Sequence, residues 1–297
     1  MREPKTVDVL LLILLGAIWG SAFFNIKIAT YTYDPITLVF VRVFFALVAL
    51  SFYCLYKNVK ILAFSKDWKI YALVGLTNVT IPFLLIAYGT NMVDSYLSAI
   101  LMSTTPLSGA ILANFFIINE KLNTLKTIGV IVGFLGIVFL FFDKLIITDT
   151  NLFYAVVILC GSTFYVIGGV LTLKFLKNEG NENVVTSTIL WSLIFIFPFC
   201  LFQEPWKNLN PSLESTLSLI YLGVFPTGVA FLLRFHILTK NGIIFQQSVA
   251  YLIPIFGVIF GFLVMDEQIT WKVLASLIII ISGIYIVKKG NKGIQSE

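Results

Sequence analysis

Charge is what this chain has least of. Only 12% of its 297 residues are Asp, Glu, Lys or Arg, against about 25% in soluble domains, so a water-facing surface cannot be covered. There is one histidine, His236, and one histidine builds no metal site. The three cysteines, Cys54, Cys160 and Cys200, all lie inside apolar runs and read as packing residues without a disulfide or metal role. No GxxxxGK[ST] phosphate loop occurs, and Asp266-Glu267 is the only adjacent acidic pair. A membrane-bound transferase, which holds metal and phosphate with clustered acids, therefore has no site here. Nothing calls for a catalytic residue, a metal or another cofactor. No acid lies in the middle third of any apolar run, so the embedded carboxylate that binds a proton or cation in many carriers has no bearer.

What the chain has instead is apolar length. It is 59% hydrophobic, with mean hydropathy +0.97. Ten spans can be read, at 7–29, 36–56, 70–88, 96–118, 125–142, 152–173, 184–202, 217–235, 244–265 and 271–287. Each should be a helix, because backbone groups in lipid must be satisfied within their own segment. The longest polar connections, 57–69, 174–183 and 203–215, leave no room for a soluble domain. Arg2 and Lys5 before an apolar run, then Gly20-Ser21-Ala22, would also suit a cleaved secretory signal. A matching segment deep in the chain favours retained structure. With the N-terminus in the cytoplasm, fifteen basic residues fall on inner segments and four on outer ones, leaving Arg42 inside a span. This positive-inside bias puts both termini in the cytoplasm. It also accounts for the net charge of +5 without a nucleic-acid partner.

The chain repeats itself. A shift of 148 positions lays Gly75 on Gly223, Phe83-Leu84-Leu85 on Phe231-Leu232-Leu233, Pro106 on Pro254 and Gly109 on Gly257. Near the start of each half the shift is 141, laying Gly20-Ser21-Ala22-Phe23 on Gly161-Ser162-Thr163-Phe164. Residues 1–148 and 149–297 each hold five spans, and an odd number makes the second half enter the membrane from the opposite face. The expected fold is all-α and integral to the membrane, with ten transmembrane helices in two inverted five-helix repeats.

Several stretches resemble one family: IWGSAF near the start, FVRVFFAL in the second span, and P…NEKLN closing the fourth. PTGVAFLLRF in the eighth span and PIFGVIFGFLVMDEQIT in the ninth complete the set. Over essentially its whole length the chain resembles EamA-type members of the drug/metabolite transporter superfamily. The resemblance implies a permease of the bacterial inner membrane with a central cavity. It would work by alternating access on small metabolites such as amino acids, in the direction of efflux. One local departure is that Pro106 and Glu120 are fourteen residues apart, whereas Pro254 and Glu267 are thirteen apart. The two acids are therefore turned by about 100° relative to each other.

A proline inside a helix frees a carbonyl, which in a bilayer must face protein or a water-filled cavity. On the ninth span Gln247, Tyr251, Pro254 and Val258 share one face; their repeat partners are Ala99, Ser103, Pro106 and Ala110, with Thr104, Thr105 and Gln246 beside them. These two faces either line a substrate cavity or only pack helices closely. Arg42 either binds a substrate carboxylate through both guanidinium arms or reaches to lipid headgroups. Trp19, Asn25 and Tyr88 are further cavity candidates, with Tyr165 and Asn114. Glu120, Glu267 and Arg234 sit at span ends, as gate or interface residues. Trp68, Trp206 and Trp271 read as interfacial anchors. The expected partners are a small-molecule substrate, neutral or anionic, and the bilayer; packing around the fifth and tenth spans could also support a homodimer. The leading reading is a transporter of an amino acid or related compound, ahead of a cationic-drug exporter or a membrane enzyme. On this reading Gln247→Ala and Tyr251→Ala each abolish flux in proteoliposomes while the protein still folds, and unaltered flux would reject that cavity face.

Overall fold

A computed structural model describes residues 2–92, 101–117, 121–142, 149–203, 211–265 and 271–290, and every regular element among them is a helix. In chain order these are α1 (Thr6–Thr30), α2 (Pro35–Tyr56), α3 (Trp68–Gly75), α4 (Ile81–Met92), α5 (Thr105–Phe116), α6 (Thr124–Phe141) and α7 (Asp149–Leu171). They continue as α8 (Asn181–Gln203), α9 (Leu213–Leu222), α10 (Ala230–Asn241), α11 (Ile243–Gln247), α12 (Val249–Met265) and α13 (Trp271–Gly290). Wider π-helical turns, Leu76–Thr80 and Gly223–Val229, join α3 to α4 and α9 to α10. A third, Thr172–Leu176, extends α7. Helices fall on all ten segments expected from the sequence. Among the described residues, five continuous runs are long and apolar enough to cross a bilayer: Pro35–Tyr56, Trp68–Gly89, Leu152–Leu176, Asn181–Phe202 and Leu213–Asn241. Thr6–Ala22, Thr124–Leu140 and Ile243–Gly257 are shorter apolar helices.

Local sequence sets the helix starts. Asp34 accepts from the Ile36 and Thr37 amides, with Pro35 in the first turn where its missing N–H costs nothing. Asn123 caps α6 through the Lys126 amide, and Ser212 caps α9 through the Ser215 amide. Polarity is arranged inside out. Leu10, Phe52, Phe115, Leu135, Phe199, Ile278 and Ile281 lie exposed, while Asn78, Ser103, Thr186, Ser192, Arg234 and Gln246 are buried. Exposed apolar side chains over this many helices suit lipid and not water.

The prolines act differently in the two halves. Pro106 is not in mid-helix as expected: the chain turns at Ser103-Thr104, and Pro106 lies in the first turn of α5. Pro254 is inside α12, as expected. Each proline withdraws the N–H that the carbonyl four residues earlier would use, and a hydroxyl replaces it. Thr105 donates to the Met102 carbonyl, Ser103 to that of Ala250 at 3.3 Å, and Thr227 to that of Leu222 at 2.9 Å. These carbonyls lie four residues before Pro106, Pro254 and Pro226. Ser103 joins the two proline-bearing segments directly.

Helices α6 and α13 meet along glycines. A Cβ at Gly283 would lie 2.5 Å from the Gly133 amide nitrogen, and one at Gly129 would lie 2.6 Å from that of Val287. This seam lies within the chain, between the two spans expected to offer a dimer face. Because backbone atoms cannot rotate away, Gly283→Ala should destabilise the protein by about 1–3 kcal/mol, read as a lower thermal unfolding midpoint in detergent. Gly257→Ala, where nothing lies within 4 Å of the added carbon, should leave it unchanged.

Candidate substrate site

The Gly223–Val229 π turn organises the interior. Gly223 lets it press on α2, since a Cβ there would come within 2.7 Å of the Arg42 carbonyl. Two side chains from other helices converge on it. The Trp19 indole N–H donates to the Pro226 carbonyl at 2.8 Å, and Arg42 Nε donates to the Thr227 hydroxyl oxygen at 2.6 Å. Thr227 passes its own proton to the Leu222 carbonyl. Arg42 is therefore held by Nε, with its guanidinium carbon 4.4 Å from the centre of the Phe83 ring. It is about 10 Å along α2 and only partly covered.

Phe83 leads to a second arginine. Its ring contacts Tyr165 and Phe231 edge-on, each at 6.1 Å. Phe231 also meets Trp19 at 6.3 Å. Tyr165, Phe231 and Phe235 surround the Arg234 guanidinium at 5.4, 5.5 and 5.6 Å. Arg234 is fully buried; it donates through Nη1 to the Asn78 amide oxygen and through Nη2 to the Tyr165 carbonyl at 3.1 Å. Its expected role at a span end is thus corrected, because a side chain with no exposed surface cannot reach headgroups. Neither Arg42 nor Arg234 has a carboxylate partner among the described residues. Aromatic faces and neutral oxygens compensate the two charges only in part.

The remaining sequence candidates lie elsewhere. Tyr251 is fully buried, its hydroxyl donates to the Val130 carbonyl at 2.7 Å, and its ring covers Gly133. It packs against α6, away from the arginines, so Tyr251→Ala opens a hole in the core instead of testing a cavity face. Gln247 is buried against Gly109, and among the described residues its Nε2 and both amide atoms of Gln246 have no partner. Ser103, Pro106 and Pro254 form the junction described above, and Thr104 turns back onto the Leu101 carbonyl at 2.7 Å. Asn25 donates to the Ser21 carbonyl at 2.9 Å. Tyr88 is half exposed against Tyr154. Asn114 accepts from the Leu122 amide. Glu120 and Glu267 lie outside the described residues. The structure thus joins Trp19, Arg42, Tyr165 and Arg234 and leaves the other candidates apart.

Sequence reading missed Asn78, Phe83 and Thr227. The signal was present: the π turn Leu76–Thr80 shifted by 148 falls inside Gly223–Val229, and Phe83 falls on Phe231. It missed Asp8 as well. Asp8 is 1% exposed and accepts from Arg2 at 2.7 Å, from the Lys5 amide at 2.7 Å and from Asn241 at 3.3 Å. With the Arg2 amide on the Lys240 carbonyl at 2.9 Å, it fastens the start of α1 to the end of α10.

Known proteins resemble the chain throughout its length. The model of the EamA-like transporter family matches twice, at residues 7–142 and 152–288. "Uncharacterized transporter YoaV" of Bacillus subtilis (strain 168) is 24% identical over 270 residues, covering 91% of this chain and 92% of that one. An "Uncharacterized transporter in trpA 3'region" of Buchnera aphidicola subsp. Schlechtendalia chinensis is 27% identical, covering 95% and 93%. "Protein PagO" of Salmonella typhimurium is 23% identical, covering 93% and 91%. A solved crystal structure superposes with TM-score 0.83 at 13% identity, over 99% of this chain and 100% of that one, which establishes a shared fold.

Burying Arg234 without a counter-ion costs stability that an apolar pair of similar volume would not. The double variant Arg234→Met/Asn78→Leu should therefore raise the thermal midpoint, by up to about 1–4 kcal/mol in stability, while lowering flux at least tenfold. A loss of stability together with normal flux would show that the charge serves packing alone.

Proposed function

Because the chain belongs to the EamA-like transporter family, we propose that this membrane transporter is a ten-helix secondary permease of the bacterial inner membrane. It moves a small polar metabolite, an amino acid or a related compound, outward by alternating access. The observation that carries this reading is the Trp19–Arg42–Phe83–Tyr165–Arg234 cluster, a polar centre inside a bundle whose exterior is apolar. Interrupted helices with polar contacts at mid-depth are where such proteins hold substrate. The double family match and the matching π turns support two repeats, 1–148 and 149–297. Five helices in each make the second inverted, and the basic residues put both termini in the cytoplasm.

In this orientation the Asp8 knot closes the cytoplasmic end. The Gln246 amide and Gln247 Nε2, buried here without a partner among the described residues, would meet water when that end opens, so the closed state carries a cost that favours alternation. An inside-negative potential supplies roughly 2.3 kcal/mol per charge per 100 mV. It drives an anion outward without the embedded carboxylate that the spans lack.

Purified protein in proteoliposomes should accelerate release of at least one carboxylate-bearing metabolite above protein-free vesicles. Asp8→Asn should loosen the knot and raise labelling of Gln247→Cys, in a background without native cysteines, by an impermeant thiol reagent from the cytoplasmic side. Equal labelling with and without Asp8 would reject the gate. No flux for any compound would reject the transporter mechanism.

A further inference from the structure

The groups around the two arginines have a one-sided hydrogen-bond balance. Every acceptor that touches them is already engaged: the Thr227 hydroxyl oxygen by Arg42, the Leu222 carbonyl by Thr227, and the Pro226 carbonyl by Trp19. Arg234 takes the Asn78 amide oxygen and the Tyr165 carbonyl. What is left over is mostly donors. Nη1 and Nη2 of Arg42, and the Tyr165 hydroxyl, which can also accept, make no hydrogen bond among the described residues, and Arg42 and Tyr165 are both only partly covered. Arg234 Nε and Asn78 Nδ2 are buried with no partner among the described residues. The walls beside the donors are the rings of Trp19, Phe83 and Phe231.

We infer that the site selects a monocarboxylate with an apolar body and no ammonium group. Its carboxylate sits end-on against Nη1 and Nη2 of Arg42, reached by the Tyr165 hydroxyl, while the body lies on the Phe83 and Trp19 rings. Thr227 is the positioning residue: by holding Nε it leaves the paired arms of the guanidinium free for a planar oxyanion. A zwitterion would bring an ammonium beside two cations, where the Tyr165 hydroxyl is the one acceptor left among the cluster's groups, and a cationic drug would meet charge of its own sign. Arg234 lies out of contact but adds positive potential behind Tyr165. This assignment rests on the transporter reading above and, within it, replaces the amino acid with an organic acid that lacks the ammonium group.

The test uses four shape-matched probes on the full-length protein: 3-phenylpropionate, 3-phenylpropanamide, 3-phenylpropylammonium and phenylalanine. Only 3-phenylpropionate should raise the thermal midpoint. Its affinity should fall roughly tenfold to a hundredfold in Arg42→Gln and about two- to tenfold in Tyr165→Phe. Should Arg42→Gln not fold, Thr227→Val keeps the charge, frees Nε and should weaken the anion alone. Equal stabilisation by the amide, the ammonium or phenylalanine overturns the assignment, as does no response to the anion or unchanged affinity in the Arg42 and Thr227 variants. Flux is read separately. Arg42-dependent binding without flux rejects the transporter mechanism and leaves the site, whereas flux of phenylalanine or the ammonium without anion binding rejects the site and leaves the transporter.

Discussion

The Leu222 carbonyl is where the interior of this protein begins. Pro226 removes the N–H that would have closed its helical hydrogen bond, and lipid provides no substitute. The Thr227 hydroxyl supplies one, the helix widens into a π turn, and the same oxygen then fixes Arg42 Nε. The Pro226 carbonyl in turn holds Trp19. One backbone fault thus sets the position of two side chains from two other helices. The same economy recurs at Ser103, whose hydroxyl serves the carbonyl released by Pro254 and joins α12 to the turn before α5.

Around that centre the usual pairing of charges is missing. Asp8 has three donors at the end of α1, whereas Arg42 and Arg234, deeper in the bundle, have none but neutral partners and rings among the described residues. Burial makes such cations costly, and stability alone would favour apolar residues of equal volume. Their retention makes sense where the compensating charge is a visitor. A binding site that is electrostatically incomplete when empty is also selective, because the wrong sign of ligand cannot complete it.

The packing that carries the centre is made differently. Glycines at 129, 133 and 283 bring α6 and α13 backbone to backbone, Gly75 brings α3 against the Thr188 carbonyl, and Gly20 lies against the Ile253 carbonyl. Apolar attraction between helices is weak in lipid, so contact of this closeness, with hydrogen bonds such as Ser192 to the Gly75 carbonyl, holds the bundle.

The sequence by itself determined the helical class, where the apolar segments lie, the residue matches at a shift of 148 positions and the family. These depend on apolar length, charge distribution and motif spacing, all of which are linear properties. It also singled out Arg42 and Trp19, because a charge or an indole inside an apolar span is conspicuous wherever it points. It could not say which way a side chain faces. Tyr251 and Gln247 share a face with Pro254, yet that face packs on α6 and α5 instead of meeting the arginines. Pro106, equivalent to Pro254 in register, opens a helix because the chain had already turned at Ser103-Thr104. Arg234 looks interfacial by its distance from a span end, and only the convergence of the Leu76–Thr80 turn, α7 and α10 buries it. Periodicity fixes a residue's angle on its own helix; the tertiary structure alone decides what lies at that angle, since it depends on helices distant in the chain.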